Sequence, residues 1–434
     1  MEIYIVQQGD DIFSIANKYN ISTERLISDN GLINPYTLVI GQSLVILNPK
    51  HSHIVKQGDT LASIAESNGI SLMQLVRNNP FLYDRTNIYQ GESLVIEFNT
   101  IRDLQVNGYT NVFLSQDILT KSLPYLTFIS IYNYQIVDNY SSTILSLGDD
   151  TNIINIAKLY STIPLLMISL LSQTGDINVE FVYKLLLDTK LQDEFMNELL
   201  QIVRTKEYMG VNFLINEIYE YNQNLYLDLI KKMSEVLRND NYMLMITISP
   251  DYSVYENIDY HRISLYVDRI IFLQNIWAKK NQPPAPVSDI SLIRPFIKNV
   301  ISKVSPEYVS LGKPVVGYDW IVPFVPGSKV NLMTLNSTLV LAYDQSAIIQ
   351  LDEESQTPFF NYIRFSNGTN EKHQVWFIDA NSIIALDKVV IENDLIGTGI
   401  WNITSYNQQL FSITNATYNI IKFDWNELTQ QVNE

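Results

Sequence analysis

The first hundred residues pass twice through the same sequence of apolar and polar positions. Ile3 and Ile5, and later Ile54, alternate along the chain as they would in a short strand with one buried face. Ile12, Ile15, Ala16 and Tyr19 then recur at helical spacing and give the next segment one apolar stripe. Leu26 and Ile27 centre a second short helix, and Ser43-Leu44-Val45-Ile46 reads as a closing strand. Two strand–helix–helix–strand units are therefore predicted, over residues 1–49 and 50–99.

Tyr4-Ile5-Val6-Gln7-Gln8-Gly9-Asp10 returns as His53-Ile54-Val55-Lys56-Gln57-Gly58-Asp59, Ser14-Ile15-Ala16 as Ser63-Ile64-Ala65, and Asn30 as Asn79. Gly41-Gln42-Ser43-Leu44-Val45-Ile46 returns as Gly91-Glu92-Ser93-Leu94-Val95-Ile96. The offset is 49 from Ile5 to Ile54 and 50 from Leu44 to Leu94, so one residue has entered the loop between. Gly9-Asp10 and Gly58-Asp59 turn the chain, and a polar residue there can cap the following helix. His51-Ser52-His53 reads as a polar connector rather than a metal site.

From residue 104 the texture changes to apolar runs alternating with amphipathic stretches. The runs are Leu126 to Tyr134, Ile163 to Leu171, Tyr208 to Ile215, Tyr242 to Ser249 and Arg269 to Ile276; Leu191 to Leu200 is a helical pattern. Strand and helix in alternation point to a parallel α/β fold, and the length favours an eight-stranded (β/α)8 barrel over 104–434. A hairpin-like stretch at about 329–365, with Leu339 to Tyr343 and acidic Asp352-Glu353-Glu354, reads as a small insertion.

At 434 residues the chain exceeds what one core organises, and 46% hydrophobic against 17% charged residues excludes global disorder. A net charge of −17 disfavours nucleic acid or an anionic membrane as partner and suits a neutral ligand such as a sugar. With no cysteine, disulfides, thiolate metal sites and cysteine nucleophiles are excluded. No cofactor or metal is expected. Met1 to Val6 lacks the basic start and apolar core of a secretory leader, and Ile163 to Leu171 is about half of the ~20 residues that span a bilayer.

Both repeats resemble the LysM module, whose members bind N-acetylglucosamine-containing glycans of peptidoglycan or chitin in a shallow groove between two loops. The resemblance implies a groove of Gly9, Asp10, Asp11, Ile12, Asn30, Gly31, Leu32 and Ile33 in the first copy. In the second it implies Gly58, Asp59, Thr60, Leu61, Asn79, Pro80, Phe81 and Leu82. Two modules on one polymer gain by avidity.

Val106-Asn107-Gly108-Tyr109, Ser172-Gln173-Thr174-Gly175, Gly317-Tyr318-Asp319-Trp320 and His373 to Ala380 follow the order seen in family 18 glycoside hydrolases. The whole layout resembles the spore cortex-lytic N-acetylglucosaminidases of endospore-forming bacteria. That resemblance implies catalysis by a glutamic acid at the end of barrel strand four, assisted by an aspartate two positions earlier and the substrate's own acetamide. The signature Asp-Gly-x-Asp-x-Asp-x-Glu falls here on Met209-Gly210-Val211-Asn212-Phe213-Leu214-Ile215-Asn216. Asn216 stands at the proton-donor position; Leu214 and Asn275 stand at the acetamide-assisting positions. Glu217 is the nearest substitute acid, with opposite parity on a regular strand. Trp401 occupies the implied sugar-stacking position, with Trp277, Tyr318 and Tyr134 as further candidates at strand ends. Three readings stay open: a glycan-binding protein with an inactive barrel, an N-acetylglucosaminidase acting through Glu217 or a relocated acid, or a purely structural coat protein whose barrel binds no sugar. The implied location is the spore coat–cortex surface, reached from the mother-cell cytoplasm, with coat proteins as further partners.

Overall fold

The computed structural model describes residues 1–85, 87–137, 143–170, 178–216, 218–250, 255–273, 282–328, 330–366 and 368–423. The first repeat forms β1 (Glu2–Ile5), α1 (Ile12–Lys18), α2 (Thr23–Asn30) and β2 (Ser43–Ile46). The second forms β3 (Pro49–Ile54), α3 (Leu61–Ser67), α4 (Leu72–Asn78) and β4 (Ser93–Phe98). In each the two strands pair antiparallel. Asp11 and Thr60 cap α1 and α3, each in a reciprocal box with the serine three residues on, Ser14 or Ser63. His51 and His53 belong to β3 rather than to a connector, and His53 Nε2 lies 2.7 Å from the Asp59 carboxylate.

The barrel opens with β5 (Arg102–Asn111) and β6 (Phe128–Ile136), to which β7 (Ile144–Ser146) adds as an antiparallel appendage. It continues through β8 (Ile163–Ser169), β9 (Gly210–Ile215), β10 (Met243–Ile248), β11 (Arg269–Phe272) and β12 (Val309–Pro314). An antiparallel five-stranded sheet comes next: β13 (Gly317–Val322), β14 (Asn331–Met333), β15 (Gln350–Asp352), β16 (Thr357–Ser366) and β17 (Thr369–Trp376). Then β18 (Gly397–Trp401) pairs with both β12 and β5 and closes eight parallel strands into a barrel. β19 (Tyr418–Ile420) runs beside the start of β5.

The inserted sheet runs from 317 to 376, wider than the 329–365 stretch read from the sequence, because β13 and β17 are its paired inner strands. Leu339 to Tyr343 is not a hairpin strand but part of the helix Leu335–Asp344. Thr334 and Ser337 box its start, and Thr338 and Ala342 are buried one turn apart.

Each LysM unit has a small core, Val6, Ile15, Leu26 and Leu44 in the first and Val55, Ile64, Leu75 and Leu94 in the second. Units of this size bury little surface alone. Here Val45, Leu47, Val95 and Phe98 extend into the apolar layer that packs around the barrel. Polar bonds seal the junction. Ser43 Oγ donates to Asp379 Oδ2 at 2.6 Å, and Asn415 Nδ2 donates to Asn78 Oδ1 at 2.8 Å. The modules are thus built onto the barrel. Among the described residues no helix is long and apolar enough to cross a membrane.

Candidate functional site

The barrel lumen is filled from its strands. Tyr109 of β5, Met167 of β8, Leu214 of β9, Met245 of β10 and Ile271 of β11 form one apolar cluster, with Tyr132 and Trp401 packed against it. Leu214 is 2% exposed. Trp401 ends β18 and its ring lies 5.0 Å from that of Tyr109, tilted by 54°. Below Leu214 the polar side chains bond to one another, with only Asn107 Nδ2 of this group left without a partner among the described residues. Asn212 Nδ2 donates to Ser130 Oγ at 2.9 Å, and Ser130 Oγ donates to Asn107 Oδ1 at 2.8 Å. Thr247 Oγ1 donates to Asn212 Oδ1 at 2.8 Å and lies 2.7 Å from the Tyr109 hydroxyl. Burial pushes the Tyr109 hydroxyl well above its ordinary pKa, so it stays protonated.

Asn216 comes directly after the last residue of β9 and lines a cavity shared with Ser169, Leu214, Tyr183, Tyr221 and Tyr226. Its Oδ1 is buried without a hydrogen-bond partner among the described residues. Glu217, Asn275 and Trp277 lie outside the described residues.

Two aromatic candidates do not offer a sugar platform. Tyr318 is 2% exposed and packs beside Trp320 at 5.4 Å where the inserted sheet begins. Tyr134 lies edge-on to Tyr208 at 6.5 Å, in the layer outside the barrel. The cause is a register shift between Tyr132 and Tyr134 in the pairing of β6 with β8. An extra residue in a strand reverses the parity of every position beyond it, so Tyr132 faces the lumen and Tyr134 turns away.

The implied LysM grooves are also revised. Asn30 Nδ2 donates to Leu26 O and Val45 O, and its Oδ1 accepts from Val45 N–H and Gln409 Nε2. Asn79 repeats this with Leu75 and Val95. Both amides are committed to the fold. Asp10 accepts from the Tyr4 hydroxyl and Gln7 N–H, while Asp59 takes His53 and Lys56 N–H; each braces its turn. The His53 bond holds the Asp59 carboxyl below its usual pKa. Asp11 and Thr60 are helix caps. Ile12 belongs to the first module's core, as Phe81 and Leu82 do to the second's, and Pro80 is buried beside them. Leu61 packs against that second core. Gly31 lies against the barrel helix and Leu32 belongs to the first module's core, whereas Gly9, Gly58 and Ile33 remain on the surface.

A pair not singled out from the sequence stands exposed on the first module. Phe13 and Tyr36 are 56% and 75% exposed and stack at 5.9 Å with 30° between planes. The signal was an aromatic off the apolar stripe of α1: the second copy has Ala62 where the first has Phe13. Among the described residues no cluster of His, Asp or Glu could hold a metal ion.

Residues 4–47 and 53–97 match the LysM domain, and residues 98–405 match glycosyl hydrolases family 18. The chain belongs to glycosyl hydrolase family 18 and carries two LysM domains ahead of its barrel. It is 28% identical over 435 residues to the cortical fragment-lytic enzyme of Bacillus subtilis (strain 168), covering 97% of this chain and 99% of that protein. It is 28% identical over 416 residues to the cortical fragment-lytic enzyme of Bacillus anthracis, covering 93% and 95%. The crystal structure of the spore cortex-lytic enzyme SleL of Bacillus megaterium QM B1551 shares the fold, with a TM-score of 0.78 at 24% identity over 97% of this chain and 99% of that one.

Proposed function

We propose that this chain holds N-acetylglucosamine-containing glycans, peptidoglycan of the spore cortex foremost, and does not cleave them. The carrying observation is Leu214, an aliphatic side chain packed with Tyr109, Met167 and Met245 at the strand position where the family places its assisting aspartate. A leucine cannot stabilise the cationic intermediate that the substrate's acetamide would form. Asn216, at the donor position, has no ionisable proton, and general acid catalysis contributes ~10²–10⁴-fold. Asn212 is neutral and held by Ser130 and Thr247. Binding needs none of these acids. Trp401, Phe13 and Tyr36 give apolar faces for sugar rings, and LysM membership supports recognition of the N-acetylated polymer. The relatives' names support a location at the spore cortex.

Those same names favour a second reading, hydrolysis of cortex fragments with Glu217 as the acid. Incubating the pure protein with purified cortex fragments and with chito-oligosaccharides, followed by mass analysis, separates the two. Bound but uncut glycan is the expected result. New reducing ends that vanish in Glu217→Gln would establish the hydrolase.

A further inference from the structure

We propose that the cleft where both LysM modules meet the barrel is a further glycan site, taking a short neutral stretch of an N-acetylated oligosaccharide. It rests on the reading of the chain as a glycan holder and adds a surface away from Trp401. That surface shares Asn30 to Ile33 with the first implied groove and Pro80 and Phe81 with the second, but none of the loop before α1 or α3. Its walls come from three places: the loop after α2 (Gly31, Ile33), the turn after α4 (Asp84, Arg85), and barrel residues including Asn336 and Asn407. Neither Phe13 nor Tyr36 contributes. Its volume of about 540 Å³ lies in the ~300–1,000 Å³ range of small-ligand sites.

The cleft is preformed. Gly31 sits at φ 60°, and a Cβ there would come within 2.6 Å of Gln408 Cβ, so only glycine lets this loop lie against the barrel helix Gln408–Thr417. Arg25 Nη1 donates to Asn79 Oδ1 at 3.1 Å, and Arg85 reaches Glu24 at 3.2 Å, locking one module to the other. A ligand entering would order little of the protein, which removes much of the usual entropic penalty.

Both of its cations are already paired, and its carboxylates Glu24, Asp84 and Asp117 outnumber them. Lys121 lies 2.9 Å from Asp84 and 3.3 Å from Asp117, and Arg85 bridges Glu24 and Glu92. An anionic ligand would have to displace a carboxylate from one of these cations against the surplus negative charge, whereas a neutral one need not. Two donors are left over among the described residues, the Tyr83 hydroxyl and the Asn407 amide. Asn407, only 4% exposed, uses Oδ1 to cap the helix Gln408–Thr417 through Leu410 N–H at 3.0 Å. Its Nδ2 is buried with no acceptor among the described residues. That N–H suits an acetamide carbonyl or a sugar hydroxyl, while Ile33, 71% exposed on the rim, offers an apolar face.

The test uses the full chain and titration calorimetry with tetra-N-acetylchitotetraose and soluble cortex fragments. A background of Phe13→Ala, Tyr36→Ala and Trp401→Ala blunts the other surfaces. On it, Asn407→Asp keeps the helix cap but removes the donor, and Asn336→Trp fills the cleft. The background is expected to retain binding, and each added change to weaken it about three- to tenfold, the worth of one hydrogen bond. Should Asn336→Trp disturb folding, Asn407→Asp decides. Loss of all binding in the background, or indifference to both changes, overturns the cleft alone. A parent that binds neither probe overturns the glycan-holding reading along with it.

Discussion

Gln409, on a barrel helix, donates its side-chain amide to Asn30 Oδ1 at 3.1 Å and to Ser43 O at 2.9 Å. An asparagine shared by both repeats thus ties α2 to β2 and the whole first module to the barrel. Its role is mechanical. Asn30→Ala should cost about 1–3 kcal/mol by leaving the Val45 N–H and its neighbours unpaired. Urea unfolding of Asn30→Ala, Gln409→Ala and the double variant should show a coupling of about 0.5–1.5 kcal/mol. Strictly additive losses would mean the bond does not unite the two parts.

Phe13→Ala and Tyr36→Ala should each reduce retention on insoluble peptidoglycan by about tenfold, equivalent to ~1.4 kcal/mol. Both side chains are exposed, so stability should move by less than about 0.5 kcal/mol. The second module offers a control: Ala62→Phe places an aromatic at the matching position and should strengthen retention. Unchanged binding in both alanine variants would remove the first groove from the reading.

On the glycan-holding reading, returning the acids should not by itself yield a hydrolase. Leu214→Asp puts a carboxylate among Tyr109, Met167 and Met245, where burial raises its pKa and destabilises the ionised form. Leu214→Asp with Asn216→Glu should therefore fold less stably by about 2–5 kcal/mol. It should release at most trace product in an overnight digest read by mass spectrometry. Brisk turnover by this variant would show that those two substitutions alone silence the barrel.

Lys422 lies just beyond β19 and sends its Nζ to Leu123 O at 2.7 Å, Tyr160 O at 3.1 Å and Thr162 Oγ1 at 2.9 Å, with Leu126 O as a further acceptor. Burial, reinforced by the positive Arg77, depresses its pKa well below the usual lysine value. The folded chain then binds fewer protons than the unfolded one between that lowered value and ~10.4. Stability from this group therefore grows as pH rises through the window. Denaturation at pH 7 and pH 9.5 should show a rise in the parent that Lys422→Met lacks. Parallel pH profiles would contradict it.

How far the site could be read from the chain varies residue by residue. The placing of Leu214 at the end of β9, facing inward with Asn212, came from strand parity and the position of Gly210. Parity misplaced Tyr134, because the register shift beside Tyr132 has no mark in the apolar pattern. Tyr318 read as a strand-end aromatic, but the sheet beginning at Gly317 covers it. Asn30, Asn79 and Asp59 were matched to a groove by position, whereas their partners Gln409, Arg25 and His53 show them committed to the fold. Phe13 was visible as an aromatic off the helical stripe, yet its pairing with Tyr36 depends on how the later loop folds back.

The order of residues alone determined the doubled module, the alternation that becomes a closed barrel, and the absence of ionisable groups at 212, 214 and 216. Such features depend on near neighbours, whose periodicity sets element type and inward face. Only the tertiary structure decided which surfaces are covered and which stay open. Ser43 meets Asp379 and Gly31 meets Gln408 across more than three hundred residues, and no local pattern records a contact that exists only once both faces have folded.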